Sequence, residues 1–429
     1  MNSRSVRVLA AVGTLVLVFS ACTKKEATPG SNLTGTYTVG VWGPASIPQG
    51  QDIRDGAILA AEELNKANGA GGREIKTVFC DSVDGAQTAK AVDCVKKFIQ
   101  TDKVDAIVGG FSSGETLAVL QTVVDGQTPF LASGAAAPDV VKDVDSTGPR
   151  KYIFRIGPIN STFLAADMCG TMIALGAANG FARFGILYED VEFARPLQAF
   201  LAACLKAPSA TTQGKIPLEK GVEVVAVESH AVDATDFSSQ FDTFTRKKAQ
   251  FVIEINSRQE GVALVKQWGE VKPKFALGGI NVSSQFDAFF AGTGSNAAFE
   301  LNGPAGSVRA PITPKTVPFY DAFKAKFGRF PIYNGVSTYD GIYTLAEAVD
   351  RAKSVEADAV VAELVKTDRI GAQGVERFGP NHDIVYGPVA PDKKGVTPVY
   401  FQWTKTGEKK LIFPTALAEG NVYLKPDWL

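Results

Sequence analysis

Residues 105–120 read DAIVGGFSSGETLAVL. An apolar run ends in Gly109 and Gly110, a turn carries Ser112, Ser113 and Gly114, and a second apolar run follows with helical spacing. The stretch predicts a strand, a tight turn and a helix. The glycines let another group approach the backbone closely, and Ser112 or Ser113 is suited to cap the helix. The N–H groups ahead of the first intrahelical bond would then face outward as a cradle for an anion or carboxylate. The plainer reading is a capped turn with no ligand, because Ser is a preferred cap in any helix.

The same pattern recurs on both sides of this stretch. YTVGVW, EIKTVFCD and TPFLASG read as strands, and the segments opening at Gln49 and Ala86 read as helices. After GPRKYIFRIGP the cycle restarts with ARFGILYED, VEVVAVESH, QFVIEIN and PKFALGGIN as strands between helical segments. Residues 317–328, 334–352 and 357–366 have helical patterning, and VTPVYFQWTKTGEKKLIFPT alternates and turns at KTGE as a hairpin. Near-continuous apolar strands alternating with helices imply parallel sheets covered on both faces. The chain of 429 residues therefore reads as an α/β protein of two doubly wound, parallel-sheet lobes. In such sheets ligands sit beyond the carboxyl ends of the strands.

Charged residues are 21% and hydrophobic residues 45% of the chain, an ordinary globular balance, and the net charge of −1 offers no basic surface for nucleic acid. The start, MNSRSVRVLAAVGTLVLVFSAC, has two Arg and then an apolar run too short to span a bilayer. Residues 1–21 read as a signal peptide. FSAC resembles a bacterial lipobox, with Phe19 where Leu is usual, so Cys22 is the expected lipidation site. Residues 22–35 are polar and read as a flexible tether. The chain is thus expected to be exported to the periplasm or cell surface and held by a lipid anchor. Four further cysteines, Cys80, Cys94, Cys169 and Cys204, allow three pairings. The pairs close in sequence, Cys80–Cys94 and Cys169–Cys204, would each tie neighbouring elements of one βα region, and export favours disulfides over buried thiols.

The stretches GQDIRDGAILAAEELN, VDAIVGGFSSGETLAV, TPFLASGAAAP, YIFRIGP, FGILYED, STYDGIYTLAEAV and PVYFQWTKTGEKKLIFP resemble, in order and spacing, the leucine/isoleucine/valine-binding protein family. These are type I periplasmic binding proteins that serve ABC importers. The resemblance covers almost the whole chain after the tether. It implies two lobes joined by three crossover segments, with 36–157 and 309–387 forming lobe one. Residues 158–305 and 390–429, including the C-terminal hairpin, would form lobe two. It implies capture of a small organic solute in the cleft and delivery to ABC permease subunits, by a monomer without cofactor or metal. Carried over position by position, the ligand set is Gln49, Ser112, Ser113, Ala135, Ala137, Phe193, Ser257, Ile280, Asn281 and Tyr333 or its neighbour Asn334; Ala136 lies within the same turn, and Trp42 reads equally as a cleft wall or as core. Ser112 or Ser113 retains the family's carboxylate-binding serine, whereas Ala137 lacks the family's hydroxyl. Ile280 stands where the family keeps the carboxylate that neutralises an amino acid's ammonium. The implied ligand is therefore an acid with an aromatic or branched body, and branched-chain amino acids are expected to bind poorly, unless Glu189, Glu192 or Glu254 supplies the missing charge. Arg258 is read as a solvated surface residue before it is read as a ligand contact.

An enzyme is the rival class. His230 and His382 are the only histidines, and neither accompanies a nucleophile motif, a Walker loop or a dinucleotide fingerprint. A sensory receptor module is a further alternative, because fold alone does not assign function. The sequence shows no fused signalling domain or spanning helix that would favour it.

Overall fold

The computed structural model describes residues 34–157, 160–206, 222–304, 307–387 and 395–429. The expected signal peptide, most of the tether and Cys22 lie outside the described residues. Among the described residues, ten parallel strands form the floors of two lobes. In lobe one, β1 (Thr36–Gly43), β2 (Glu74–Asp81), β3 (Ala106–Gly109), β4 (Phe130–Ala132) and β5 (Ile153–Arg155) pair in the order β2-β1-β3-β4-β5, all parallel. The helices α1 (Pro48–Ala67), α2 (Thr88–Lys97) and α3 (Ser113–Asp125) follow β1, β2 and β3. Every residue of β3, β4 and β5 is buried, as expected of a sheet covered on both faces.

Lobe two begins with α4 (Ser161–Asn179) and holds β6 (Arg183–Glu189), α5 (Ala194–Lys206), β7 (Glu223–His230), α6 (Ser238–Arg246), β8 (Phe251–Asn256), α7 (Glu260–Val271), β9 (Ala276–Asn281) and β10 (Leu301–Asn302). The chain then returns to lobe one as α8 (Thr316–Phe327), α9 (Tyr333–Ala352) and α10 (Ala357–Leu364). α9 lies against α1 so closely that a Cβ on Gly56 would sit 2.4 Å from the Gly335 carbonyl oxygen. A short antiparallel ribbon, β11 (Arg369–Ile370) and β12 (Val375–Glu376), adds to this side. The hairpin β13 (Tyr400–Trp403) and β14 (Lys409–Phe413) ends the second sheet, ordered β14-β13-β10-β9-β8-β6-β7. It joins antiparallel at the β10 edge.

The end of β5 is tied to a segment far along the chain. Arg155, fully buried at the end of β5, donates through Nε and Nη2 to the two carboxylate oxygens of Asp383, each at 2.8 Å. Its Nη1 donates to the carbonyls of Ala135 and Ala137 at 3.2 and 2.8 Å. Asn160 adds a bond to Asp383. One bidentate ion pair thus joins the end of β5 to the segment around Asp383, 228 residues away in sequence. Two disulfides, Cys80–Cys94 and Cys169–Cys204, link β2 to α2 and α4 to α5. α4 is long and apolar enough to cross a membrane by composition, yet it packs its Leu164, Met168, Met172 and Ile173 into the core of lobe two.

Candidate functional site

The carboxyl ends of the strands of both lobes face a common cleft with about 450 Å³ of empty volume including its mouth. Lobe one supplies Phe111, Ser112, Ser113, Gly134, Ala136 and Tyr333. Lobe two supplies Val191, Glu192, Phe193, Ile280 and Val282 together with Ser257 and Arg258. The lining is mostly apolar, with hydroxyls, the Glu192 carboxylate and the Arg258 guanidinium set into it.

The turn after β3 presents the polar end. Gly109 (φ +135°) passes so close to Trp42 that a Cβ would lie 2.2 Å from the Trp42 carbonyl oxygen, and Gly110 (φ +84°) sits over the indole ring. Only glycine suits this left-handed, crowded path. Ser112 is the N-cap of α3, but its side chain makes no cap bond. The first intrahelical bond runs from the Thr116 amide to the Ser112 carbonyl at 2.9 Å. The expected serine cap therefore does not form at Ser112, and the amides of 113–115 precede the helix ladder at its positive end. Ser113 Oγ accepts from the Ala136 and Ala137 amides at 3.1 and 3.0 Å. With both lone pairs engaged, its own proton is left to donate. The backbone cradle expected at 135–137 is thus internal: two of its amides polarise Ser113.

Other expected contacts are relocated. Trp42 is fully buried beneath the Gly109–Gly110 turn and packs in the core of lobe one, not on the cleft wall. Asn281 turns into lobe two, donating to Glu254 at 3.0 Å and to the Gly261 carbonyl at 3.1 Å. Ala135 and Ala137 serve Arg155 with their carbonyls and only Ala136 of the three lines the cleft. Gln49 is buried and bridges the lobes, with Nε2 donating to the Ser257 carbonyl at 3.0 Å. Ser257 reaches the lining, but its hydroxyl donates to Glu189 at 2.6 Å. Ser112, Ser113, Phe193, Ile280 and Tyr333 all line the cleft. Burial pushes the Tyr333 phenol upward, so it stays protonated and donates to the Gly134 carbonyl at 3.2 Å.

The acids near the cleft divide into two groups. Glu189 and Glu254 are buried inside lobe two, and burial raises both carboxyls above their ordinary range. Glu260, buried behind the Ser257–Arg258 turn, is pushed up to about 8 by burial and then by the neighbouring Glu189. Among the described residues, Glu192 is the carboxylate that lines the cleft, with Oε2 3.2 Å from where a Gly114 Cβ would stand, over the first turn of α3. Arg258, expected on the solvated surface, is instead partly buried and is the one cation of the lining among the described residues. A sequence signal for it existed in its place just beyond a β-strand's carboxyl end, but Arg in such turns is usually exposed.

A family model described as "Periplasmic binding protein" matches residues 37–408. Among curated relatives, Leu/Ile/Val-binding protein homolog 7 of Brucella melitensis is 24% identical over 391 residues, 89% of this chain and 91% of the relative. Homolog 8 of the same organism is 25% identical over 386 residues, 88% and 89% of the two chains. Among solved structures, the LivJ branched-chain amino acid binding protein of Streptococcus pneumoniae, in complex with isoleucine, has a TM-score of 0.70 at 20% identity. That match covers 88% of this chain and 99% of the other. A solute-binding protein of R. palustris in complex with benzoate has a TM-score of 0.71 at 18% identity, covering 91% and 100%.

Proposed function

The chain belongs to the periplasmic binding protein family, and from that premise we propose that it captures a small organic acid in the interlobe cleft and presents it to ABC permease subunits. The observation that carries the ligand class is the uncapped first turn of α3, with Ser112, the polarised Ser113 hydroxyl and Arg258 set, alongside Ser257 and Glu192, in a mostly apolar lining. A carboxylate at a helix N-terminus gains about 0.3–1 kcal/mol from the dipole, and more where water is excluded. Phe111, Phe193, Ile280, Val282 and Tyr333 suit an aromatic or branched body. Isoleucine and benzoate, the ligands of the two structural relatives above, bracket this class. Ile280 offers no charge to an ammonium, and an ammonium left unpaired in a closed cleft is costly. The acid reading is therefore favoured over a branched-chain amino acid.

Calorimetry with benzoate, hydroxybenzoates, branched short-chain acids, leucine, isoleucine and valine tests this reading. An aromatic or branched acid should bind most tightly. Tightest binding by leucine, isoleucine or valine would refute it. We assign 36–157 and 309–387 to lobe one and 158–305 and 390–429 to lobe two, and the lobes close about the segments tied by Arg155 and Asp383. Small-angle scattering should show a smaller radius at saturation with ligand. We further assign residues 1–21 as a signal peptide and Cys22 as the lipid anchor of a monomer. Cys22→Ala should move the protein from the membrane to the soluble fraction, and retention on membranes would overturn the anchor.

A further inference from the structure

Two side chains cross the cleft in opposite directions at one place. From lobe one, Gln49 Nε2 donates to the Ser257 carbonyl at 3.0 Å. From lobe two, Arg258 Nη2 donates to the Gly85 carbonyl at 2.7 Å. Each lobe gives a donor to a backbone acceptor of the other, through adjacent residues of a single turn.

Both ends of this contact are held rigidly. In lobe two the Ser257 amide and hydroxyl donate to Glu189 at 2.8 and 2.6 Å. The Arg258 amide donates to Glu260 at 3.0 Å, and the Arg258 carbonyl accepts from Ser283 Oγ at 2.7 Å. In lobe one Gly85 has φ +78°, and a Cβ there would lie 3.3 Å from Phe111 and 3.6 Å from Arg258 Nη2. Its loop is fixed by Glu115, which accepts from Ser82 Oγ at 3.0 Å and the Gln87 amide at 3.1 Å. The Cys80–Cys94 disulfide closes the same loop. The guanidinium therefore stands between two acids of lobe two, Glu189 and Glu260, and two of lobe one, Asp84 and Glu115, each of which feels its charge. Nε is buried without an acceptor among the described residues, so the group also has a donor in reserve at the cleft lining.

We propose that Arg258 is the positioning residue that latches the lobes closed, so that it sets how long a captured solute stays bound. A charge-assisted hydrogen bond between lobes exists only in the closed form, and it therefore shifts the open–closed equilibrium by its own free energy. The affinity for any cleft ligand shifts with the closed population. The effect on solute rests on the cleft being the solute site, whereas the effect on closure does not.

The test reads closure directly. In a Gly114→Cys/Glu192→Cys background, a short thiol cross-linker joins the lobes at a rate proportional to the closed population. Arg258→Gln should lower that rate about tenfold, the size expected of one hydrogen bond to a charged donor. Arg258→Lys, which keeps the charge but not the fork, should fall between. In the otherwise unaltered chain, Arg258→Gln should raise the dissociation rate of benzoate by a similar factor and leave its association rate nearly unchanged. An unchanged cross-linking rate in both variants overturns the latch, even if benzoate binds more weakly, because Arg258 would then be a ligand contact only. A slower rate confined to the Gln variant and accompanied by a lower melting temperature overturns it too. If no carboxylate binds the unaltered chain, the organic-acid reading fails while the cross-linking comparison still decides the latch.

Discussion

Glu192 is the residue whose charge most directly opposes the proposed ligand. Its carboxylate lies over the first turn of α3, where a ligand carboxylate would sit, and its side chain remains 46% exposed, 4.0 Å from Arg195. Two anions at one helix N-terminus repel, so an entering acid must move Glu192 aside. Removing the charge should help such a ligand. Glu192→Gln is predicted to tighten benzoate binding severalfold, roughly the 0.3–1 kcal/mol of one charge at a helix end, as measured by calorimetry. If Glu192 instead serves as an ammonium partner, the same variant would weaken amino-acid binding, and the two results have opposite sign. Ser113 is a quieter case. Its hydroxyl is polarised by two amides, so the backbone at 136–137 would act on the proposed ligand through a side chain of the neighbouring turn.

Two elements carry the geometry of the cleft. The first is the Arg155–Asp383 pair, with neither side chain more than 5% exposed. Asp383→Ala would leave a buried guanidinium with carbonyl partners only. Loss of one partner of a buried pair costs about 3–5 kcal/mol, so a large fall in urea midpoint is predicted, with Asp383→Asn losing less. A change within experimental error would mean that the passages between lobes are held by other contacts. The second is the loop after β2, closed by Cys80 and Cys94. Replacing both by Ser is predicted to cost roughly 3 kcal/mol in the chain-entropy model. Because that loop carries Gly85, the same replacement should also speed ligand dissociation. Removal of the Cys169–Cys204 disulfide, which lies far from the latch in sequence, should lower stability without that kinetic effect.

At the scale of the molecule, the buried acids make stability depend on pH with a definite sign. Burial raises Glu115 to about 7, Glu300 to about 7 and Glu260 to about 8 in the folded chain. The unfolded chain releases these protons near pH 4.3. Between that point and the folded values the folded state holds more protons, so stability falls as pH rises through 5 to 8. Asp84 and Asp321 act oppositely, since a hydrogen bond from the Ala86 amide and one from Arg309 hold them below the ordinary carboxylate range. Their contribution is lost only as the pH drops below about 4. A melting temperature that is highest near pH 5 and declines by roughly 2 °C or more towards pH 8 is predicted. Glu115→Gln should flatten part of that decline. A profile that rises steadily to pH 8 would contradict this reading of the buried acids.

The alternation of apolar strands with helices was enough to establish two parallel-sheet lobes, because burial on both faces writes itself into composition as near-continuous apolar runs such as AIVG at 106–109. The hairpin at 400–413 was equally legible, since period-two alternation around KTGE admits little else. At the cleft, the family resemblance pointed to Ser112, Ser113, Phe193, Ile280 and Tyr333, all of which line it. It did not tell which way neighbouring residues face. Ile280 and Asn281 are consecutive in β9, so a shift of one residue exchanges cleft for interior, and only the folded strand assigns Ile280 to the cleft. Trp42 was ambiguous for the same reason: whether an aromatic at a strand end packs down or projects depends on the turn above it, here Gly109 and Gly110. Gln49 and Arg258 were the least legible, because their partners Ser257 and Gly85 lie more than 170 residues away in sequence. Such contacts are created by the approach of two lobes, and no local pattern in either lobe encodes that approach.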